Sequence, residues 1–262
     1  MTDELLQGGR MSPGVARRGE TVRRPTGPWS PAVHAYLRHL EKVGFAGAPR
    51  VLEVDGDTEV LSYVAGEVPS DPDWEPGKGN RLPAEIRSDD CLAATAVLLR
   101  ELHEAGAGFS SAVSSYQFHP HPLRPGEVMT HGDLGPWNTV YRDGLPVAFI
   151  DWDACQPVDR LVDVATAAWA YLPLATDQAL AETGFDPLPD LGHRLRLFVD
   201  AYGGLDRSKV IPALIQAKLR AATHVSYWQL GAKDSAVSLE FYAAELWWLE
   251  NRSVELTRAL EG

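Results

Sequence analysis

The stretch that most constrains this chain runs from Met129 to Asp153 and reads Met-Thr-His-Gly-Asp-Leu-Gly-Pro-Trp-Asn-Thr-Val-Tyr-Arg-Asp-Gly-Leu-Pro-Val-Ala-Phe-Ile-Asp-Trp-Asp. An acid, Asp133, lies in a tight loop of glycine and proline. An amide, Asn138, follows it, and a second acid, Asp151, comes after a turn and an apolar run. Thr139-Val-Tyr is β-branched and aromatic, Arg-Asp-Gly-Leu supplies a turn with positive φ at Gly144, and Pro146-Val-Ala-Phe-Ile reads as a second strand. The segment is therefore predicted to fold as a hairpin with Asn138 at its entrance and Asp151 at its exit. Both lie at the open end of the ladder, where their oxygens can converge on one metal ion. Mg²⁺ is the ion that combines few protein oxygens with phosphate. The set matches what phosphoryl transfer asks for: one carboxylate to orient and deprotonate a hydroxyl, and an amide plus a second carboxylate to hold divalent metal on nucleotide phosphates.

His131-Gly132-Asp133 with Asn138, followed by Ile150-Asp151-Trp152-Asp153, resembles the catalytic loop and metal-binding motif of the aminoglycoside phosphotransferase and choline kinase family, relatives of the protein kinases. The resemblance implies that Asp133 is the catalytic base, that Asn138 and Asp151 hold Mg²⁺, and that His131 supports the loop. It implies ATP or GTP as co-substrate. Asp163 matches the Asp of the family's Asp-Leu-Ala motif, whose expected task is to bond the catalytic-loop backbone. The fold class that follows is α+β and bilobal, like a protein kinase. Residues 1–66 would form a small antiparallel-sheet lobe that binds nucleotide, and residues 67–262 a larger, mainly helical lobe carrying the catalytic loop and the substrate site.

The beginning of the chain departs from the family pattern. Two or three short strands are predicted over residues 5–25, broken by Gly8-Gly9, Pro13-Gly14 and Gly19, where the family places a glycine-rich loop and a strand lysine. No lysine occurs before Lys42. Arg23 or Arg24 in Thr-Val-Arg-Arg-Pro is the stand-in. Successive strand residues face opposite ways, so only one of them can reach phosphate, and Arg23 is favoured. The alternative is that both are solvated arginines on a strand edge. Glu41 is the candidate partner for the strand arginine, as a helix glutamate is in kinases.

Ser30 and Pro31 open a helix with apolar Val33, Tyr36, Leu37 and Leu40 that stops at Gly44. Residues 50–55 and 59–64 flank Asp55-Gly56-Asp57, a hairpin signal. The second of these strands runs into Ala65-Gly66-Glu67, which resembles the family's hinge, so backbone groups of Tyr63 and Val64 are expected to meet the adenine. Residues 69–83, rich in Pro, Gly and Asp, read as a linker or lid. A long helix begins at Ser88 and ends near Gly106 with Leu102-His103, read as a packed pair at the core edge. His119-Pro-His121-Pro lacks a carboxylate or cysteine partner nearby and reads as a turn. The remainder alternates apolar stripes with charge and is predicted to be helical.

The charge is uneven. Residues 1–50 carry eight basic side chains against four acidic ones, leaving 16 against 32 for the rest of a chain with formal net charge −12. Such an acidic body argues against nucleic acid as a partner. With Asp153, Asp159, Asp186, Asp190, Asp200, Asp206, Glu240 and Glu245 read as the walls of the substrate region, it points to a small hydroxylated acceptor that is cationic, such as an aminoglycoside or amino alcohol. No apolar run approaches a membrane span, and Met-Thr-Asp-Glu-Leu-Leu lacks the form of a signal peptide, so a cytoplasmic enzyme is expected, as monomer or homodimer. A reading from a different class stays open: a lapsed relative of these kinases that binds ligand or partner without turnover, as the short first lobe and absent lysine would suit.

Overall fold

The computed structural model describes residues 4–5, 14–69, 75, 78, 80–110, 115–118, 121–225 and 232–262. Gly8-Gly9 and His119 lie outside these residues, so the expected glycine-rich loop is not part of the description.

Five antiparallel strands form the first sheet: β1 (Glu4–Leu5), β2 (Ala16–Arg18), β3 (Thr21–Pro25), β4 (Val51–Asp55) and β5 (Thr58–Ser62), in the order β1-β2-β3-β5-β4. The β4–β5 hairpin closes through Asp55-Gly56-Asp57 with Gly56 at φ 56°, as its turn chemistry requires. Between β3 and β4 runs α1 (Ser30–Lys42), which buries Ala32, Val33, Tyr36, Leu37 and Leu40 along one face. Its start differs in detail from expectation. Trp29 occupies the cap position, and the Ser30 hydroxyl accepts from the Gly27 N–H at 2.9 Å.

Two further hairpin-like pairs complete this unit. One is β6 (Glu127–Thr130) with β9 (Gln156–Asp159); the other is β7 (Thr139–Arg142) with β8 (Leu145–Phe149). Asp143 and Gly144 both have positive φ, at 52° and 75°, the form of turn that suits strand twist in a two-residue hairpin.

The chain divides into two compact units, residues 1–68 with 101–159 and residues 69–100 with 160–262. This differs from the expected division into 1–66 and 67–262, since the catalytic hairpin joins the strand-rich unit rather than the later helices. Backbone bonding explains it. Glu67 and Tyr141 exchange both of their backbone hydrogen bonds, at 2.8 and 2.7 Å, and the Phe149 N–H donates to Gly47 O at 2.9 Å. The hydroxyl of fully buried Tyr36 donates to Met129 O at 3.2 Å, while its ring packs edge-on against Phe109 and Trp152.

The second unit holds the first part of α2 (Asp89–Ala105), then α3 (Arg160–Tyr171), α4 (Asp177–Glu182), α5 (Leu191–Tyr202), α6 (Val210–His224) and α7 (Ala232–Glu261). Ser88 caps α2, its hydroxyl accepting from the Cys91 N–H. Among the described residues no helix is long and apolar enough to cross a membrane.

A buried cation organises the packing of α3, α6 and α7. The Lys218 ammonium lies 4.3 Å from the Trp169 ring centre, 4.8 Å from that of Tyr242, and 2.7 Å from Glu245 Oε2. Burial raises the Glu245 pKa, against the pull of Lys218. Glu245 is thus no substrate-facing acid. Asp200 likewise pairs with Arg207, Asp190 caps α5, Asp206 caps a turn beside Lys209, and Asp153 pairs with Arg24. The expected carboxylate wall is largely committed to internal partners. Glu245→Ala strands Lys218 among apolar rings, and such broken buried pairs cost about 3 kcal/mol. The expected result is an unfolding midpoint lowered by about 6–12 °C in thermal denaturation.

Candidate active site

Asp133 follows a turn that admits only glycine. Gly132 has φ 85°, and a Cβ there would come within 2.6 Å of the Ala154 carbonyl carbon and closer still to its oxygen. This places the Asp133 loop directly on the backbone of the 3₁₀ turn Trp152–Ala154. His131, fully buried against Trp152, joins the two. Its Nε2 bonds Ile150 O at 2.7 Å, and its Nδ1 accepts from the Asp133 N–H at 3.4 Å, which fixes the tautomer with the proton on Nε2. These contacts tie His131 to both segments.

Asn138 ends the loop. Its Nδ2 donates to Asp133 O at 2.9 Å and to Asp133 Oδ2 at 2.8 Å, and its backbone carbonyl accepts from the Ile150 N–H. Thr139 pairs with Phe149, so the two ends of the β7–β8 hairpin lie side by side, with Asn138 on one and Asp151 just beyond the other. Asp151 adopts φ 63° and ψ 66°, a left-handed conformation that Asp tolerates better than most residues.

Crowding by the surrounding protein, with Asp151 repulsion second, pushes the Asp133 carboxyl up to about 7, against the hydrogen bonds from Asn138 and Trp137. Asp133 is nonetheless exposed as a residue, so water still reaches the group.

Arg24 is the unexpected centre of the site. Its Nη1 donates to Asp151 Oδ1 at 2.7 Å, its Nη2 contacts Asp153 Oδ1, and its Nε lies 2.7 Å from Glu59 Oε1. Glu59 in turn meets His34 Nε2 from α1. Burial weakens the Arg24 charge, but Asp153, Asp151 and Glu59 outweigh it and raise the guanidinium pKa above its ordinary value. Burial likewise raises the Asp153 pKa, with Arg24 opposing.

Sequence favoured Arg23 and Glu41, and the geometry differs on both. Arg24 stands directly opposite Glu59 in the β3–β5 register, hence on the same face of the sheet, whereas Arg23 opposes Val60 and faces the other way. Among the described residues its Nε is buried without a hydrogen-bond partner, as is that of Arg24, whose contact with Glu59 is an ion pair. Among the described residues Glu41 pairs with Arg50, exposed, at 3.6 Å. Tyr63 gives its N–H to Glu20 O, and the Arg17 guanidinium lies 3.7 Å from its ring centre. Val64 is half-buried, and Asp163 is buried on α3.

The residues present fit a hard divalent cation. With Nδ2 committed to Asp133, Asn138 has its amide oxygen to offer, and Asp151 has the carboxylate oxygen that Arg24 does not engage. Among the described residues no cluster of three or more His, Cys, Asp or Glu that could hold a metal occurs.

The Phosphotransferase enzyme family matches residues 117–198. The trifolitoxin immunity protein of Rhizobium leguminosarum bv. trifolii is 36% identical over 256 residues, covering 95% of this chain and 91% of that protein. The chain belongs to the phosphotransferase enzyme family. Its fold is kinase-like, with a small antiparallel sheet at its beginning and helices beyond. The fold is shared with a choline/ethanolamine kinase family protein from Mesorhizobium loti, at 17% identity and TM-score 0.63, over 100% of this chain and 93% of that one. It is shared as well with amicoumacin kinase hAmiN in complex with AMP-PNP, Ca²⁺ and Ami, at 13% identity and TM-score 0.60, over 88% and 84%.

Two outcomes follow for this phosphotransferase. Removing Arg24 leaves Glu59, 3% exposed, without the guanidinium that pairs with it, whereas Arg23 stands opposite Val60. Arg24→Ala is expected to cost about 3 kcal/mol in urea denaturation, and Arg23→Ala less than about 1 kcal/mol.

The second outcome concerns pH. Asp133 binds its proton more tightly in the folded chain than in the unfolded one, so its ionisation opposes folding, and the loss grows as pH rises from the ordinary carboxylate range to about 7. Metal-free Asp133→Asn is therefore expected to melt above the parent at pH 8, by about 2–4 °C, and to converge with it near pH 4.

Proposed function

We propose that this phosphotransferase moves the γ-phosphate of ATP or GTP to a hydroxyl of a small molecule, with Asp133 as catalytic base and Mg²⁺ held by Asn138 and Asp151. The observation that carries the reading is the joining of Asp133 and Asn138 by a direct side-chain bond at the mouth of a hairpin whose other end presents Asp151. In this reading the acceptor oxygen bonds to the γ-phosphorus as the bond from phosphorus to the bridging oxygen of the departing nucleoside diphosphate breaks. The hydroxyl proton passes to the Asp133 carboxylate. Asn138, by bonding Asp133 Oδ2, fixes which carboxylate oxygen meets the hydroxyl. Bound Mg²⁺ supplies charge neutralisation and orientation of the phosphates. Arg24, already fixed by three carboxylates, serves through the position it gives Asp151 and Asp153 rather than as a free phosphate clamp. Tyr63 and Val64 bracket the proposed adenine position through their backbone.

The acceptor class we propose is a hydroxylated, amine-bearing molecule of the antibiotic or amino-alcohol kind. The support is the immunity named for the relative that covers 95% of the chain, together with the amicoumacin and choline/ethanolamine kinases that share the fold.

The test is a panel of aminoglycosides, amino alcohols and neutral sugars, followed by nucleotide consumption with and without Mg²⁺. Asp133→Asn is expected to lower kcat at least about 100-fold, with nucleotide affinity within a few-fold of the parent. Nucleotide binding with no consumption across the panel would favour a chain that binds without turnover. Consumption undiminished in Asp133→Asn would remove Asp133 from the role of base.

A further inference from the structure

The buried face of α1 is mostly apolar, with Ala32, Val33, Tyr36, Leu37 and Leu40, yet it carries an imidazole, His34, only 5% exposed. A polar ring taken out of water there needs a hydrogen-bonding partner. It has one, for His34 Nε2 meets Glu59 Oε2 on β5. A carboxylate only accepts, so Nε2 carries the hydrogen and donates. The Glu59 carboxylate is thereby held at both oxygens, by His34 on Oε2 and by Arg24 Nε, 2.7 Å away, on Oε1.

The series of contacts continues beyond the arginine. A guanidinium is planar and rigid, so the direction in which Nε meets Glu59 sets where Nη1 and Nη2 can point. They point at the two acids that follow β8. Nη1 donates to Asp151 Oδ1 at 2.7 Å, and Nη2 pairs with Asp153 Oδ1. A path of side chains thus runs from α1 through Glu59 and Arg24 to Asp151, each held by the one before it. The helix reaches the strand arginine through a histidine and a strand glutamate, and Glu41, the acid expected for that task, pairs with Arg50 instead. What His34 adds is direction. Without its N–H the Glu59 carboxylate is free to turn about its terminal torsion, and the rigid fork of Arg24 carries that freedom on to Asp151.

We propose that His34 is a positioning residue for Asp151, acting from α1 through Glu59 and Arg24, and that it thereby sets how well the site takes a divalent cation with its nucleotide. The consequence for metal rests on the reading of Asp151 as a ligand; the relay of contacts does not.

The relay is tested without metal or substrate, by the backbone amide signals of Asp151 and Asp153 in ¹H–¹⁵N spectra of the full chain. A glutamine amide sets its nitrogen near the place of the imidazole Nε2, whereas an asparagine amide reaches only the place of Nδ1, so the two variants separate direction from polarity. Both signals are expected to move in His34→Asn and to hold in His34→Gln. Signals that hold in both variants, or move equally in both, overturn the proposal, whether or not the chain phosphorylates anything. For the metal, calorimetry of ATP binding with Mg²⁺ and with EDTA gives the gain in affinity that Mg²⁺ brings. That gain is expected to fall about 5–10-fold in His34→Asn and less than about two-fold in His34→Gln, while affinity in EDTA stays within about two-fold of the parent. A loss of the same size with and without Mg²⁺, or a loss equal in both variants, is what a merely structural histidine gives, and it overturns the positioning role. Asp151→Ala is measured beside them. If it keeps the parental gain, or if the parent shows none, the reading of Asp151 as metal ligand fails, and the spectra still decide the relay.

Discussion

Three acids at the site share one buried cation. Arg24, 7% exposed, is bonded on three sides by Glu59, Asp151 and Asp153. Three acids brought this close would repel one another without it, and a guanidinium whose donors form a planar fork is the side chain able to serve several oxygens at once. The consequence reaches past charge. Glu59 belongs to the sheet and touches His34 on α1, while Asp151 and Asp153 belong to the segment after β8. Arg24 therefore joins sheet, helix and catalytic hairpin, and places Asp151 where a left-handed backbone sends it.

The loop that presents Asp133 is built by close approach rather than by apolar burial. Gly132 lies against the Ala154 carbonyl, His131 bridges the Asp133 N–H to Ile150 O, and Asn138 bonds both the backbone and the side chain of Asp133. Each contact holds polar atoms at fixed distance, which on the proposed reading suits a carboxylate that meets a hydroxyl in one orientation. The arrangement carries a cost in stability, since Asp133 and Asp151 are neighbours of like charge. Such conflict is expected where function rather than folding chose the residues.

The acidic character of the chain takes a different meaning once its partners are known. Glu245 neutralises Lys218 inside an aromatic enclosure, and Asp190 and Asp206 terminate helical turns. Net charge describes the whole surface, whereas recognition depends on the charges left without internal partners.

The sequence by itself determined the active-site hairpin and its order of acid, amide and acid. Thr139-Val-Tyr, Asp143-Gly144 and the apolar run to Ile150 state their conformation locally through β-propensity and turn chemistry, and the spacing of Asp133, Asn138 and Asp151 carried the family resemblance. It determined α1 as well, because Val33, Tyr36, Leu37 and Leu40 recur with helical period. Only the tertiary structure shows which of Arg23 and Arg24 meets the acids of the site, because that depends on strand register, which opposes Arg24 to Glu59 across residues far apart in the chain. It alone placed the hairpin with the first sheet, through backbone bonds from Glu67 to Tyr141 and from Phe149 to Gly47 that no side-chain pattern announces.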